Sequence, residues 1–255
     1  MHSSHNLTMI VKSIKTRKIT QQDNDIFPIL DRFLPRLKER SILAVTSKIV
    51  AICEGRTLAM KNVDKDKLIK QEADYYIPRQ KSKHSIVLTI THNTLIASAG
   101  IDESNGNGSY VLWPVNPQKT ANQIRQYLVK RFSVKEVGVI ITDSKTTPLR
   151  RGTTGFTLAH SGFSALTNYI DQPDIFGRAL KMTQANIADG LGAAAVLMMG
   201  EGSEQTPLAV IEDIPFVKFQ QRNPTKKELN ELRIPLQEDL YALLLTSAQW
   251  YPRNT

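Results

Sequence analysis

The sequence predicts an α/β fold with mixed sheets, from two kinds of observation. Short apolar runs rich in β-branched residues, at 42–46, 137–142 and 208–211, are typical of buried strands. Longer segments with helical periodicity or a high alanine content lie between them, at 116–132 and 185–199. Strands and helices that alternate along a chain form layered domains, because each apolar sheet face needs a helix to cover it.

Two local signals mark the first half of the chain. Ser47 follows the strand at 42–46 directly, and it predicts the N-cap of a helix. His92 and Asn93 are turn formers, and they predict a hairpin between strands at 85–90 and 95–99. A strand–helix unit and a later hairpin are therefore expected.

Helix starts are the clearest signals in the second half. Asn116 and Pro117 predict one start, because a proline without an N–H group fits the first helical turn. The apolar residues of that helix share one face, and they are Ala121, Ile124, Leu128 and Phe132. Thr225 and Glu228 form a capping-box pair for a C-terminal helix. Residues 236–245 predict a further helix.

The composition limits the size of the core and the compartment. A chain of 255 residues with 41% hydrophobic residues buries a sizeable core, as one large domain or two interlocked ones. Cys53 is the single cysteine, so an intramolecular disulfide is excluded and a buried thiol is expected. No apolar run approaches the roughly 18 residues of a membrane span, and residues 1–8 lack the apolar core of a signal peptide. We expect a cytoplasmic protein without a membrane partner.

The chain divides into three predicted parts. Residues 1–8 are polar and predict a flexible N-terminal extension. Residues 9–218 form the predicted main domain, and residues 219–255 a helical C-terminal extension packed on it. Residues 219–224 are the best candidate for the boundary.

The chain is basic, with a net charge of +9 from 33 Lys and Arg against 24 Asp and Glu. Such an excess fits either nucleic acid or an anionic small substrate. The basic residues are dispersed and no aromatic residues alternate with them, so nucleic acid is not the expected partner. A non-catalytic nucleotide- or nucleic-acid-binding protein, whose affinity would fall steeply with salt, is the alternative function.

Three distant segments each present a carboxylate beside glycine or other small residues. Asp102, Asp143 and Glu201 each end an apolar run or lie just past one. Carboxylates that meet in one cleft suit Mg²⁺ and Mn²⁺, which prefer oxygen ligands and bridge to phosphates. Taken alone, Asp143 is better explained as a residue that caps a turn. The Asp102 segment is equally well explained as a surface turn, and the glycines beside Glu201 also fit a helix C-cap. Together with Arg150 and Arg151, they predict a metal-and-phosphate site.

A second segment favours phosphate binding. Ser47 and Lys48 would lie at the positive N-terminus of the helix that follows the first strand, which suits a phosphate. The glycines on both sides of Glu201 let backbone amides approach phosphates. The pattern GxxxxGK(S/T) is absent, so this is not the common phosphate-binding loop. A plain N-cap with a solvated lysine is the alternative explanation.

The order of five motifs carries a resemblance to a known family. The motifs are SKIVAICEGR, AGIDESN, VGVIITDS with RRGTTG, DIFGRALKMT and IADGLGAAAVLMMGEG. In this order they resemble the coenzyme F420:L-glutamate ligase family, including its relatives assigned to folate metabolism as γ-glutamate ligases. The resemblance runs from Met9 to Glu212, and residues 216–250 resemble the extension of the folate-assigned branch.

The resemblance implies a GTP-dependent ligase that joins L-glutamate to the carboxylate of a small acceptor through an acyl phosphate. It implies an intertwined homodimer with two interlocked subdomains, and residues 9–218 as the γ-glutamyl ligase domain. It also implies two Mg²⁺ or Mn²⁺ ions, with K⁺ as a helper. By motif position, the metal shell comprises Asp102, Asp143, Ser144 and Glu201. The matching nucleotide contacts are Ser47, Lys48, Asn105, Met199, Gly200, Gly202, Ser203, Glu204, Gln205 and Thr206.

Two positions depart from the family's pattern. Ile52 stands where a lysine is usual, which removes one positive partner of the nucleotide and leaves both GTP and ATP to be tested. Thr147 stands where an arginine is usual, so Arg150 and Arg151 are left to hold a substrate carboxylate as a bidentate fork. With Asp143 they form the predicted catalytic set. A deazaflavin acceptor carries a phosphate that favours extra arginines, so the loss at Thr147 favours a folate or another pterin.

Overall fold

The structure, a computed structural model, describes residues 8–253, so the predicted extension at 1–8 lies almost wholly outside the described residues. The described chain confirms the mixed α/β class. Its strands are β1 Ile10–Ile14, β2 Ser41–Thr46, β3 Thr57–Ala59, β4 Tyr75–Ile77, β5 Leu88–Thr91, β6 Thr94–Ala97, β7 Ser109–Val111, β8 Val137–Thr146, β9 Thr153–Ser161, β10 Leu166–Asn168, β11 Gln184–Asn186, β12 Leu208–Glu212 and β13 Tyr251–Pro252. Its α-helices are α1 Phe27–Phe33, α2 Ser47–Cys53, α3 Lys65–Glu72, α4 Pro117–Phe132, α5 Ile187–Met199, α6 Lys226–Glu231 and α7 Ala242–Ser247.

The largest sheet has five strands in the order β1-β12-β2-β8-β9. β2 and β8 are parallel neighbours, whereas the other neighbouring pairs are antiparallel. Ser41 pairs with Val137 and Thr46 with Thr142, so the two parallel strands keep one register over six residue pairs. Residues that follow Thr46 and Thr142 therefore leave the pairing at the same edge of the sheet, where ligands of α/β proteins gather.

Helices cover both faces of this sheet. Leu43 and Val45 of β2 lie in a core cluster with α1, α2 and α4. Ile42 and Ala44 point to the other face and lie in a cluster with α5. Since β2 is buried on both faces, it shows an unbroken apolar run instead of a polar–apolar alternation.

Glycines allow α5 to pack closely on β9. A Cβ atom added at Gly192 would lie 2.7 Å from Thr157 Oγ1 and 2.9 Å from the carbonyl carbon of Phe156. A Cβ atom added at Gly155 would lie 2.5 Å from the Cβ of Val196. All three distances are too short for real side chains, so the helix and the strand approach each other only because these positions lack a Cβ.

A second, antiparallel sheet has the order β13-β4-β5-β6. His92 and Asn93 have φ angles of 50° and 60° and form the tight turn between β5 and β6, which confirms the predicted hairpin. Leu68 and Ile69 of α3 pack in the core cluster of this sheet. β13 pairs with β4 near the C-terminus, with Tyr251 opposite Tyr76 in the register.

Two predicted details are wrong. Ser47 is the first residue of α2 and not its N-cap. The helix begins directly after β2, so the last strand residue, Thr46, is the N-cap. The Thr46 side chain forms no capping hydrogen bond. Residues 236–245 do not form one helix, since only α7 is helical there. The Asp239 carboxylate accepts a hydrogen bond from the Tyr241 N–H at 2.8 Å, and this local turn competes with a helix.

Other local predictions are confirmed. The Asn116 side chain caps α4 by accepting the Lys119 N–H at 2.9 Å. Thr225 and Glu228 form the reciprocal capping box of α6. Between residues 8 and 253, no helix is both long and apolar enough to cross a membrane. The homodimer, the interlocked subdomains and the division at residue 219 stay predictions.

Replacing Gly192 by alanine should destabilise the fold, whereas the same change at Gly190 should not. The new methyl group at Gly192 overlaps β9, and such overpacking costs about 1–3 kcal/mol. Gly190 lies on the same helix with no atom within 4 Å of the added Cβ. Gly190→Ala should therefore stabilise the protein by about 0.5–1 kcal/mol. Urea unfolding of both variants measures the difference, and equal stabilities would disprove the close packing.

Candidate active site

Asp143 is the central charged group at the edge where β2 and β8 leave their pairing. The residue as a whole is only partly buried, but its carboxyl group is enclosed by the protein. Its carboxylate accepts hydrogen bonds from the Trp113 Nε1–H, from the Ser47 side chain and from the Ser144 N–H, the last at 2.8 Å. Burial raises the pKa of Asp143 to about 6, although these hydrogen bonds oppose the shift, and the nearby Asp102 charge adds to it. Among residues 8–253, Asp143 forms no ion pair. A buried anion therefore lacks a positive partner.

Asp102 lies near Asp143 and is paired with Lys48. The Asp102 Oδ2 atom is 2.5 Å from the Lys48 Nζ atom. Lys48 also donates to the Ser104 carbonyl oxygen at 3.0 Å, and the Ser104 N–H donates to Asp102 Oδ1 at 2.7 Å. Burial alone would raise the pKa of Asp102, but Lys48 and Ser104 outweigh it and lower that pKa.

Glu201 contacts the same region through hydroxyl groups. Ser144 Oγ donates to Glu201 Oε2 at 3.1 Å, and Thr153 Oγ1 donates to Glu201 Oε1 at 3.4 Å. Asn105 Nδ2 donates to the Gly202 carbonyl oxygen at 2.9 Å. The three carboxylate-bearing segments therefore touch one another. In the described part of the chain, no three His, Cys, Asp or Glu side chains form a group that could hold a metal ion by themselves, and the metal assignment stays a prediction.

The loop at 200–206 encloses a carboxylate of its own. The Gly202 N–H donates to Glu204 Oε2 at 2.8 Å. Gly200 has a φ of 80°, and a Cβ atom there would lie 2.5 Å from the Glu204 Cδ. Thr206 Oγ1 donates to the Met199 carbonyl oxygen and closes the loop. A backbone amide of this loop thus already binds an anionic oxygen, as the expected phosphate contact requires.

The remaining two residues of the predicted nucleotide set lie in the same loop. The Gln205 carbonyl oxygen accepts the Thr16 N–H at 2.9 Å, and Gln205 has a φ of 59°. The Ser203 side chain is exposed. The structure therefore brings the loop beside Asn105, and Lys48 reaches Ser104, the residue next to Asn105.

Arg150 and Arg151 lie away from Asp143. Both are exposed in the turn between β8 and β9, where the Arg150 N–H donates to the Thr147 carbonyl oxygen at 3.2 Å. β8 extends three residues beyond Asp143, which corresponds to about 10 Å along the strand. The backbone at both arginines therefore lies beyond the end of β8, and their role in holding a substrate carboxylate stays a prediction.

Trp113 is a site residue that the sequence analysis did not identify. Its indole ring lies against Gly100, where an added Cβ atom would be 2.3 Å from Trp113 Nε1. Gly100 has a φ of 72°, so a side chain there would be strained as well. The glycine in AGIDESN was visible in the sequence, but nothing local connects it to an indole donor thirteen positions later.

Two cavities adjoin this edge. The larger has a volume of about 410 Å³, and Lys145 and Phe156 line it. Phe156 is the cross-strand partner of Asp143, which places the cavity beside the buried carboxylate. The smaller has a volume of about 260 Å³ and is lined by Ile52 and Asn105, among others. The lysine-to-isoleucine departure at position 52 therefore gives this second cavity an apolar wall.

Several known proteins are similar in sequence to this chain. The sequence model of the F420-0:Gamma-glutamyl ligase family matches residues 8–213. A coenzyme F420:L-glutamate ligase of Methanococcus maripaludis is 33% identical over 209 residues, which cover 82% of this chain and 82% of the relative. The enzyme of the same name from Methanocaldococcus jannaschii is 33% identical over 198 residues, or 76% of this chain and 78% of the relative. The one from Archaeoglobus fulgidus is 29% identical over 194 residues, or 70% and 78%.

The chain belongs to the F420-0:gamma-glutamyl ligase family. This membership confirms the family resemblance and makes the chain an enzyme of the ligase class. It supports a γ-glutamyl ligase activity and gives no support to the non-catalytic alternative.

His160 lines the larger cavity and gives a pH dependence to the stability of this ligase. Its side chain is buried, with its ring 5.4 Å from that of Phe163, and burial lowers the pKa of His160 to about 4. In the unfolded chain the pKa is about 6.5. Below that pH the unfolded state binds a proton that the folded state rejects, so the free energy of unfolding falls as the pH drops towards 4.

Acid should therefore destabilise the wild type more than a His160→Met variant, which has no group to protonate at this position. Between pH 7.5 and 4.5 we expect an excess loss of about 2.5 kcal/mol in the wild type. Urea unfolding of both proteins at the two pH values measures it, with His92 present in both as a constant background. Equal losses would show that His160 is not held neutral.

Proposed function

We propose that this ligase uses GTP to join the amine of L-glutamate to the carboxylate of a small acceptor. The observation that carries the proposal is the enclosed Asp143 carboxylate of this γ-glutamyl ligase family member, which has a raised pKa and no positive partner among residues 8–253. The names of the relatives supply the L-glutamate and the F420-type acceptor.

The charge balance of the site supports a divalent cation. Asp143 is a buried anion next to a second carboxylate, Asp102, and such a pair is stabilised by a cation. We propose that Asp102, Asp143, Ser144 and Glu201 hold Mg²⁺ or Mn²⁺, with two ions in all and K⁺ as a helper. When bound, these ions would neutralise the phosphates and make the γ-phosphorus a better electrophile.

The nucleotide is proposed to bind between Lys48, Asn105 and the loop at 199–206. Lys48 is held by Asp102 and Ser104, so its positive charge has a fixed place beside the buried carboxylate. The loop carries the predicted contacts Met199, Gly200, Gly202, Ser203, Glu204, Gln205 and Thr206, together with Ser47 at the start of α2. Glu204 would leave the Gly202 N–H when a phosphate oxygen takes its place.

The proposed reaction has two steps. An acceptor carboxylate oxygen attacks the γ-phosphorus of GTP, the bond to the β-phosphate oxygen breaks, and GDP and an acyl phosphate result. The amine of L-glutamate then attacks the acyl carbon, phosphate leaves and the amine loses a proton. Arg150 and Arg151 are proposed to bind a substrate carboxylate that extends along β8 towards the hairpin tip.

The acceptor is proposed to be a fused-ring heterocycle that carries a carboxylate. The names of the relatives favour the F420 type. The threonine at Thr147 favours a folate or another pterin, because the arginine expected for an additional phosphate is absent. Purified protein given each acceptor with GTP or ATP and labelled glutamate distinguishes the two classes by the mass of the product.

Asp143→Asn should reduce the ligation rate by on the order of a thousandfold, because a neutral amide cannot balance a bound cation or the charge of the transferred phosphoryl group. Asp213→Asn is the matched control, since Asp213 is exposed, has a φ of 56° that asparagine tolerates, and lies outside the site. The measurement is glutamate-dependent phosphate release with and without Mg²⁺. Near-normal turnover of Asp143→Asn, with the fold intact, would refute the role of Asp143.

A further inference from the structure

We propose that the larger cavity is the acceptor pocket and that Arg233, from the C-terminal segment, binds an anionic group of the acceptor there. This inference rests on the proposed ligase function and deepens it. It assigns a ligand to the cavity, and it places a selectivity residue in a part of the chain that the family model does not match. The match ends at residue 213, whereas α6 and Arg233 lie beyond it.

The cavity is in the right place for the acceptor. Lys145 is two residues after Asp143 on β8, so both side chains point to the same face of the strand. Phe156 lies opposite Asp143 in the register and contributes to the cavity wall. A molecule in the cavity therefore directs one end towards the buried carboxylate, where the proposed phosphoryl transfer takes place.

The charges of the cavity favour an anion. Lys145 and Arg233 both line it, and neither forms an ion pair with another residue between 8 and 253. Asp189 also lines the cavity, and it accepts the Thr157 N–H and the Asn186 Nδ2–H, both at 2.9 Å. Since both donors are neutral, Asp189 keeps its negative charge, and the described lining carries two positive charges against one negative charge.

Helix ends add to this positive potential. The first residues of α4 and the first residues of α5 line the cavity, represented by Pro117 and Ala188. The N-terminus of a helix carries a partial positive charge, so both helix ends favour an anionic ligand. These helix ends add to the attraction of Lys145 and Arg233 for an anion, but they do not define the site by themselves.

The apolar part of the lining fits a flat ring system. Phe156 and Leu158 form one wall, and Leu229 and Leu232 of the C-terminal segment contribute another. Lys145 lies over the Phe156 ring, with Nζ 4.9 Å from the ring centroid. A volume of about 410 Å³ falls within the range of small-molecule pockets. An anionic acceptor with two or three fused rings matches this combination of walls and charges.

Arg233 is held in position by contacts on both sides. Before it, α6 is fixed by its capping box, and Glu228 accepts hydrogen bonds from Gln220 Nε2 and Arg222. After it, the Ile234 carbonyl oxygen accepts the Asn93 Nδ2–H at 3.3 Å. Burial lowers the pKa of His92. The Asp74 carboxylate opposes this shift, whereas the positive charge of Arg233 adds to it. The Arg233 guanidinium therefore lies near the β5–β6 turn, which contains His92.

Equilibrium binding of two probes tests the proposal, without GTP or glutamate. The probes are the glutamate-free F420 precursor, followed by its own fluorescence, and tetrahydrofolate, followed by calorimetry. Arg233→Met should weaken binding of whichever probe the wild type binds by at least tenfold. Lys227→Met removes a charge from α6, six residues before Arg233 and outside the cavity, and it should change binding by less than twofold.

Steady-state kinetics separate this inference from the proposed function. For Arg233→Met we expect a rise in KM for the acceptor of at least tenfold and a KM for GTP within twofold of the wild type. The pocket assignment is overturned if the wild type binds neither probe, or if Arg233→Met and Lys227→Met agree within twofold. Loss of binding in Arg233→Met together with a wild type that forms no amide would uphold the pocket and refute the ligase proposal.

Discussion

The in-register parallel pairing of β2 and β8 is the constraint on which the site depends. Thr46 lies opposite Thr142, so the chain after each strand emerges at one edge, with Ser47 on one side and Asp143 on the other. The pairing is stable only because helices cover both faces of the sheet. The same requirement that buries the core therefore brings the polar groups of the edge together.

Neutral donors hold the central anion at this edge. Trp113 and Ser47 orient the Asp143 carboxylate, whereas Lys48 is engaged with Asp102. An anion fixed by neutral groups keeps its charge uncompensated, which is the physical reason for proposing a cation beside it. Gly100 contributes indirectly, since the indole reaches the carboxylate only by lying against a residue without a Cβ.

Local sequence signals predicted the elements, and long-range contacts account for what they missed. The buried strands and the starts of α4 and α6 carry their own signals, and the structure confirms them. Ser47 was misplaced by one residue because α2 begins directly after the last paired residue of β2, so that Thr46 is the N-cap. The order of the motifs predicted that the three carboxylate-bearing segments meet. The roles of Trp113 and Arg233 were not predicted, because they depend on residues far away in sequence. Arg150 and Arg151 lie in the turn of the β8–β9 hairpin, and their role in substrate binding stays a prediction.

The outermost strands of the two larger sheets also affect the tendency of the chain to aggregate. β13 forms one margin of the four-stranded sheet, and Pro252 in it has no N–H to offer to an incoming chain. β1 forms one margin of the five-stranded sheet and carries Lys12, whose charge discourages a second copy from docking there. Both margins are thereby protected against strand addition, the first step of ordered aggregation.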